Sequence, residues 1–310
     1  MEAQPKCNLI IDSCCDLPFE VVDRPGVQLL EFPYIDDMGE HSDDLYRTVT
    51  PHDFYEGMRA GSQPSTAQVP VTVFHDVFSK AIESGVPTVY LSFTSGLSGS
   101  FNTAVMMRDQ LIAEHPGAEL YVVDTYLASV AEALLVYEAL NQRDNGMTAR
   151  ELAAWAEEAR YFVDAEFMVD DLESLRRGGR IPSTVAYAGA KLDVKPLLNI
   201  SIEGKLALTG VARGRKKGIR QLAEYCSKRM TDRMPGRCVV IGNADCPKDA
   251  ETLRDLLAKQ DESLTVVQHN IGDTLGSHVG PGMVSISFWG GDRRENMSVA
   301  DRIAAKIKRG

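Results

Sequence analysis

Short apolar runs alternate with longer segments of helical periodicity through the first half of the chain. Three runs of strand length, rich in Val, Leu and Tyr, are CNLIID, VPTVYLSF and AELYVVDT. A segment of helical character over residues 19–23 follows the first run, ahead of the apolar stretch GVQLLEFPYI, and helix-length segments follow the other two. Apolar strands that alternate with helices are typical of a parallel sheet covered on both faces. The pattern therefore predicts an α/β unit.

Capping residues predict where several helices begin and end. Thr50 followed by Pro51 predicts a helix start, and Gly85 predicts the end of the next helix. Thr148 and Glu151 have the spacing of a capping box. Helical patterns continue almost without a break from residue 125 to residue 163, so we place a domain boundary after residue 162.

Strands and helices no longer alternate strictly in the second half. The runs KPLLNIS and KLALTGVAR, with Glu203-Gly204 between them, predict a β-hairpin. Helices are predicted over residues 181–194 and in KKGIRQLAEYCSKRM and PKDAETLRDLLAK, and strands in CVVIGNAD, LTVVQHNIG and MVSISFW. The chain is thus predicted to be α/β with two domains, a parallel-sheet α/β domain over residues 1–162 and a mixed α+β domain over residues 163–310.

The last thirteen residues, 298–310, combine apolar and basic positions at helical spacing. This pattern predicts an amphipathic helix that packs on its own protein. Association with a membrane surface is the alternative interpretation.

Length, charge and cysteine content narrow the class of protein. At 310 residues the chain exceeds the usual single-domain size and favours two domains with a cleft between them. A formal net charge of -11 argues against general binding to nucleic acid, and no apolar run is long enough to span a membrane. The six cysteines lack zinc or disulfide spacing, and no export signal is evident. We therefore expect a reduced cytoplasmic protein without a metal, and expect it to be a monomer.

The segment SFTSGLSGSFNTA, residues 92–104, carries an excess of hydroxyl groups where a predicted strand meets a helix. Ligands bind beyond the carboxyl ends of parallel strands, and backbone amides at a helix start attract anions. Helix capping alone requires a single hydroxyl group, so the segment indicates an anion site. A serine hydrolase elbow is a second interpretation, although Ser100 stands where that motif has its last glycine.

Three other segments are candidates for the same site or for a partner. The segment AGSQPSTAQVP, residues 60–70, taken alone indicates a loop and a helix cap. His278 lies among four glycines, where the backbone can approach a ligand closely. Basic clusters that contain Arg180, Arg213 and Arg215 are explained either as solvated surface or as contacts to phosphate or an acidic partner.

Taken together and in this order, the segments IDSCCDLP, SQPS, TSGLSGSFNTA, VVDT, LESLRRGGRI, KPLL, RGRKKG and SHVGPGMV resemble the DegV family over residues 8–288. This resemblance implies a two-domain α/β fold with an apolar tunnel, between or within the domains, that encloses a long-chain fatty acid. It also implies a lipid-binding protein without catalytic residues, cofactor or metal. The family's members present the bound acid to a separate ATP-dependent fatty acid kinase in phospholipid metabolism.

The resemblance also assigns residues. It implies that Ser62, Thr94, Ser95 and His278 hold the carboxylate, while the matches of Arg180, Arg213 and Arg215 to positions for kinase docking or phosphoryl transfer are weaker. Physically, a carboxylate requires several preorganised donors, and burial of the acyl chain supplies affinity.

Two positions depart from the family pattern. Cys14-Cys15 replaces a common hydroxyl pair, and Gly61 replaces a threonine before Ser-Gln-Pro. The second departure removes a carboxylate donor, so we expect Ser62 or water to take its place, or the head group to be held differently.

Two alternatives to a fatty-acid-binding protein stay open from the sequence. In the first, Ser95 or Ser98 is the nucleophile of a hydrolase or acyltransferase, with His278 as its base. In the second, the same helix start binds a phosphorylated or sugar-like ligand in a polar cleft.

Overall fold

The computed structural model describes residues 5–181, 193–231 and 237–296. The helix predicted over residues 181–194 and the amphipathic helix predicted over residues 298–310 lie outside the described residues, apart from the ends of the first.

A four-stranded parallel sheet forms the centre of the N-terminal half. Its strand order is β2-β1-β6-β7. The strands are β1 (Asn8–Asp12), β2 (Val27–Leu30), β6 (Thr88–Ser92) and β7 (Leu120–Asp124). Every residue of β6 is buried, as expected for a strand with neighbours on both sides and helices on both faces. The predicted parallel sheet is confirmed.

Ten helices surround the sheets in the described part of the chain, and most of the predicted ones are present. They are α1 (Phe19–Val22), α2 (Pro51–Arg59), α3 (Val71–Glu83), α4 (Ser100–Glu114), α5 (Ser129–Asp144), α6 (Ala149–Ala159), α7 (Glu173–Arg177), α8 (Arg215–Arg229), α9 (Pro247–Gln260) and α10 (Asp273–Val279). Thr50 caps α2 through the amide of Asp53, and Thr148 and Glu151 form the predicted capping box of α6.

A small antiparallel sheet, with the order β4-β3-β5, was not predicted. It consists of β3 (Pro33–Asp36), β4 (Gly39–Ser42) and β5 (Ser65–Thr66). The apolar stretch GVQLLEFPYI therefore contributes β2 and β3 to two different sheets, with the break at residues 31–32. Pro33 begins the second strand, a position that a residue without an N–H tolerates.

The C-terminal half is built on a six-stranded mixed sheet with the order β10-β9-β8-β13-β11-β12. Its strands are β8 (Val163–Met168), β9 (Val194–Ile200), β10 (Leu206–Arg213), β11 (Cys238–Asn243), β12 (Thr265–Asn270) and β13 (Val284–Trp289). β11 and β12 pair in parallel and the other neighbours pair antiparallel. The predicted hairpin is present as β9 and β10, and Gly204 in its turn has a φ of 72°.

One hydrophobic core joins the two halves. The same cluster of buried residues contains Tyr90 of β6 and Phe93 just after it, together with Phe167, Val240 and Trp289 from the mixed sheet. The boundary predicted after residue 162 falls at the first residue of β8 and stays a prediction. The α/β class, with a parallel sheet and a mixed sheet, is confirmed.

Candidate functional site

A narrow apolar cavity of about 70 Å³ lies between segments of both halves. This volume is below the roughly 300–1,000 Å³ typical of ligand pockets, so a bound chain would have to push the walls apart. The wall includes Phe93 and Leu97 near the parallel sheet, and Phe167, Ile200 and Leu206 from the mixed sheet. An apolar cavity of this kind suits a hydrocarbon chain better than a sugar or a nucleotide.

The polar residues of the wall include Thr66, Ser98, Arg180 and His278. Thr66 Oγ1 lies 2.8 Å from His278 Nε2, which connects the short strand β5 to α10. Arg180 Nε donates to the Leu97 carbonyl over 3.1 Å. These contacts bring a hydroxyl, an imidazole and a guanidinium group to the wall of one cavity.

The surroundings of His278 keep its imidazole neutral. Burial, and then the positive charges of Arg180 and Arg177, lower the pKa of His278 to about 4. Its Nδ1 atom is buried and has no hydrogen-bond partner among the described residues. A hydrogen on Nδ1 would therefore be an unsatisfied buried donor, whereas a hydrogen on Nε2 can be donated to Thr66. In that tautomer the Thr66 hydroxyl accepts from His278 and still has its own hydrogen to donate.

The hydroxyl groups of residues 92–100 largely stabilise their own turn. Thr94 Oγ1 donates to the Gly204 carbonyl over 3.0 Å and accepts from the Gly96 amide. The Ser95 amide donates to Asp124, and Ser98 donates to the Ser100 hydroxyl. Gly99 is the N-cap of α4 and has no side chain to make a cap bond, but the Ser98 hydroxyl accepts from the amide of Ser100, the first residue of α4, over 3.2 Å.

The predicted carboxylate ligands are therefore not all brought together. His278 lines the cavity, whereas Thr94, Ser95 and Ser62 are not among the residues of its wall. The Ser62 amide extends the end of α2 by donating to the Gly57 carbonyl. Ligand contact by these three residues stays a prediction.

Thr66 is the hydroxyl residue that sequence reasoning did not select. It begins Thr-Ala-Gln-Val-Pro, five residues after the similar segment that begins Gly-Ser-Gln-Pro at Gly61. The structure brings the later segment, with Thr66, to the cavity and into contact with His278. The sequence signal that could have identified Thr66 is the repeat of a glutamine followed by a proline, at Gln63-Pro64 and again at Gln68-Val69-Pro70.

The three arginines predicted to contact a partner differ in their surroundings. The Arg215 guanidinium is bound to Asp249 at 2.8 Å, Asp170 at 2.7 Å and the Gly282 carbonyl at 2.8 Å. Arg213 is exposed at the end of β10, and Arg180 lines the cavity. Arg215 thus anchors α8 to neighbouring loops. Of the three arginines, Arg213 is the one whose side chain is exposed to solvent.

The turn with Cys14 and Cys15 is joined through Asp12 to β6 and to Phe93, which lines the cavity. Both cysteines are fully buried and pack in the core. Asp12 in the same segment accepts hydrogen bonds from the Tyr90 hydroxyl and from the Phe93 amide, each over 2.8 Å. The segment therefore positions β6 and the start of the turn. Its two cysteines are buried near the carboxyl groups of Asp12, Asp16 and Glu132, and burial and these charges raise the pKa of both thiols.

A serine hydrolase would require a serine hydroxyl in contact with a base. Among the described residues, the hydrogen-bond partner of the His278 ring is Thr66, and no serine hydroxyl is bonded to it. The serines offered as nucleophiles, Ser95 and Ser98, bond to groups within their own sheet edge and turn. The pairing on which that alternative depends is not formed.

One group of side chains in the described part of the chain has the spacing of metal ligands. It consists of His52, Glu56 and Asp245 at the surface. Arg59 donates to both carboxylates, 2.6 Å from Glu56, and so offsets part of their negative charge. The group is better explained as a surface ion-pair network.

Comparison with known proteins gives a consistent family assignment. Residues 6–290 match the family model described as "Uncharacterised protein, DegV family". A DegV domain-containing protein of Clostridium perfringens is 34% identical over 285 residues, which cover 92% of this chain and 98% of that protein.

Two solved structures resemble the chain over almost its whole length. A DegV lipid-binding protein from Thermotoga maritima superposes with a TM-score of 0.78 at 28% identity, covering 93% of this chain and 99% of that chain. A fatty-acid-binding DegV family protein from Streptococcus agalactiae gives a TM-score of 0.79 at 26% identity with the same coverage. None of the helices described here is long and apolar enough to cross a membrane.

Proposed function

Because the chain belongs to the DegV family, we propose that it is a fatty-acid-binding protein that encloses a long-chain acid and presents its carboxylate to a separate kinase for phosphorylation. The observation that supports this most directly is the apolar cavity with Thr66, Arg180 and His278 in its wall. Lipid or fatty-acid binding by the Thermotoga and Streptococcus relatives agrees with it.

Burial of the hydrocarbon chain supplies most of the affinity in this proposal. Each buried methylene contributes roughly 0.8 kcal/mol, so a chain of roughly 16 carbons supplies on the order of 10 kcal/mol before the costs of immobilisation. The aromatic and aliphatic wall, which includes Phe32, Phe93 and Phe167, is suited to that contact.

The carboxylate is held, in this proposal, by the Thr66 hydroxyl, with His278 orienting the hydroxyl and Arg180 supplying positive charge. Charge-assisted hydrogen bonds are about twice as strong as neutral ones, so a few donors suffice. Ser62, Thr94 and Ser95 keep the carboxylate role that the resemblance implies only if a bound acid rearranges the turn. The protein acts as a carrier and not as an enzyme, without a cofactor, and as a cytoplasmic monomer.

Mass spectrometry of organic extracts from the purified protein tests lipid binding. We expect a long-chain fatty acid in stoichiometric amount. Thr66→Val should lower the affinity for added fatty acid by about tenfold, since it removes a charge-assisted bond, while Thr66→Ser keeps the hydroxyl and serves as the control. An empty protein that gains no thermal stability from any fatty acid would refute the proposal.

Kinase docking is tested by phosphorylation of the bound acid. The exposed Arg213 is the arginine we expect to contact the kinase, and Arg220 on α8 is an exposed control. With an ATP-dependent fatty acid kinase, Arg213→Glu should form acyl phosphate at least several-fold more slowly while still retaining the acid. Equal rates for Arg213→Glu, Arg220→Glu and the unchanged protein would contradict a role for Arg213.

A further inference from the structure

Ser285 lines the cavity, and its buried hydroxyl has no hydrogen-bond partner among the described residues. Ser285 is only 3% exposed and lies on β13 between Gly242 of β11 and Phe167 of β8. A Cβ atom added to Gly242 would lie 2.4 Å from Ser285 Oγ, 2.5 Å from Ile271 Cδ1 and 2.8 Å from Val130 Cγ1. Hydrocarbon groups of Val130 and Ile271 therefore share the space beside Gly242 with this hydroxyl.

A neighbouring serine shows that the same strand can satisfy a buried hydroxyl. Ser287 lies two residues further along β13 and is fully buried, and its Oγ donates to the Asp164 carbonyl over 3.2 Å. Because side chains two residues apart point to the same face of a strand, the two serines are comparable. Ser285 differs in that it borders the cavity and lacks such a bond.

A trapped water is a poor partner for Ser285. A buried water is typically held by two to four polar groups. Val130 and Ile271 offer none, and the backbone of β11 at Gly242 is already paired with β12 and β13. A partner is therefore better supplied by whatever occupies the cavity.

We propose that Ser285 binds an oxygen atom carried by the hydrocarbon chain of the ligand, so that the cavity prefers a long-chain acid bearing a hydroxyl or oxo group on its chain. This inference rests on the proposed fatty-acid-binding function and specifies its ligand class. Ser285 can donate to either oxygen and can accept from a hydroxyl. An unsubstituted acid leaves the serine unpaired, and sites built to bond a ligand oxygen discriminate strongly against the analogue that lacks it.

The test compares acids of equal length on the delipidated full-length protein. Binding of stearic acid and of stearic acids with one hydroxyl or oxo group at successive mid-chain carbons is measured for the unchanged protein, Ser285→Ala and Ser287→Ala. We expect at least one substituted acid to bind the unchanged protein about tenfold more tightly than stearic acid, the effect of one buried hydrogen bond. Ser285→Ala should abolish this preference, and Ser287→Ala should keep it.

The outcomes separate this inference from the proposed function. If stearic acid binds well and its ratio to every substituted acid is the same in the unchanged protein and in Ser285→Ala, the chain-oxygen preference is wrong and fatty-acid binding stands. If no acid binds to the unchanged protein, fatty-acid binding itself is wrong, and the inference is refuted with it.

Discussion

His278 is expected to titrate far below an ordinary histidine. Its pKa of about 4, lowered by burial and by Arg180 and Arg177, keeps it neutral in the empty cavity. Because the unfolded chain takes up this proton near pH 6.5, the folded protein should lose stability as the pH falls from about 6.5 towards 4. A carboxylate bound beside the imidazole should raise the pKa again.

Nuclear magnetic resonance of the imidazole carbons measures this directly. We expect a midpoint near pH 4 in the delipidated protein, a higher midpoint in Arg180→Gln because a positive charge is removed, and a higher midpoint again with fatty acid. A midpoint near 6.5 in the empty protein would contradict the buried geometry of the Thr66–His278 pair.

Glu132 on α5 should make the protein less stable as the pH rises. Its carboxyl oxygens are buried without a hydrogen-bond partner among the described residues. Burial, followed by the charges of Asp12, Asp16 and Asp124, raises the pKa of Glu132 well above its usual value. The folded state therefore holds a proton that the unfolded chain releases above about pH 4.3, and stability declines from there upward.

Glu132→Gln removes this titration. Denaturant unfolding should find the variant close to the unchanged protein near pH 4 and increasingly more stable than it towards pH 8. Glu138→Gln, a half-buried position on the same helix, is the control. A stability difference for Glu132→Gln that does not change with pH would show that Glu132 is not held protonated.

Residue-level chemistry was only partly predictable from the sequence. His278 was identified because histidine among glycines is an unusual pattern. Ser62 was selected and Thr66 was not, because two similar segments lie five residues apart and the contact of Thr66 with α10 leaves no local signal. The three-dimensional partner of Thr94, the Gly204 carbonyl, is 110 residues away and left no local signal.

At the scale of elements, the β9–β10 hairpin holds the turn between β6 and α4. Gly204 has a φ of 72°, and a Cβ there would lie 1.8 Å from Thr94 Oγ1 and 3.2 Å from the Tyr126 Cα. Conversely, a Cβ on Gly96 would lie 2.4 Å from the Gly204 carbonyl oxygen. Two glycines thus permit a backbone contact between an element of each half.

Gly204→Ala should lower the free energy of unfolding by about 1–3 kcal/mol, through strain at positive φ and overpacking. It should also weaken fatty-acid binding, since the displaced turn contributes Leu97 and Ser98 to the cavity. Gly210→Ala on β10 is the control, because a Cβ there meets nothing within 4 Å. Urea unfolding and fatty-acid titration of both variants make the comparison. Equal stability and equal affinity in the two variants would contradict the close contact between Gly204 and the turn after β6.

Elements with strong periodicity were predictable, and short ones were not. The parallel strands β1, β6 and β7 are continuous apolar runs that the sequence identifies. The two residues of β5 are too few for any periodicity, and they pair with β3 only because the chain returns to it. The sheet that carries Thr66 was therefore missed, although the α/β class was correct.

At the scale of the whole molecule, the cavity depends on both halves together. The buried cluster that surrounds it combines residues of both halves, such as Phe93 after β6 and Phe167 of β8. A domain boundary after residue 162 separates the sheets along the chain but not the core. The hydrophobic pattern of the sequence predicts the strands of each sheet separately. It contains no information about the cavity between the two sheets.

Fatty acid should therefore slow amide hydrogen exchange in both halves at once. Residues 93–98 and strand β13 contribute to the same wall, so a ligand that binds only the closed cavity lowers the population of states in which either segment opens. At a free ligand concentration of 100 times the dissociation constant, the protection amounts to about 2.7 kcal/mol for amides that exchange only when the ligand is released.

The loop end of the β3–β4 hairpin, at Met38, lies at the surface and serves as an internal control that exchanges by local opening. Protection confined to one half would mean that the ligand occupies a site within a single sheet layer, and the cavity formed jointly by the two halves would not be the binding site.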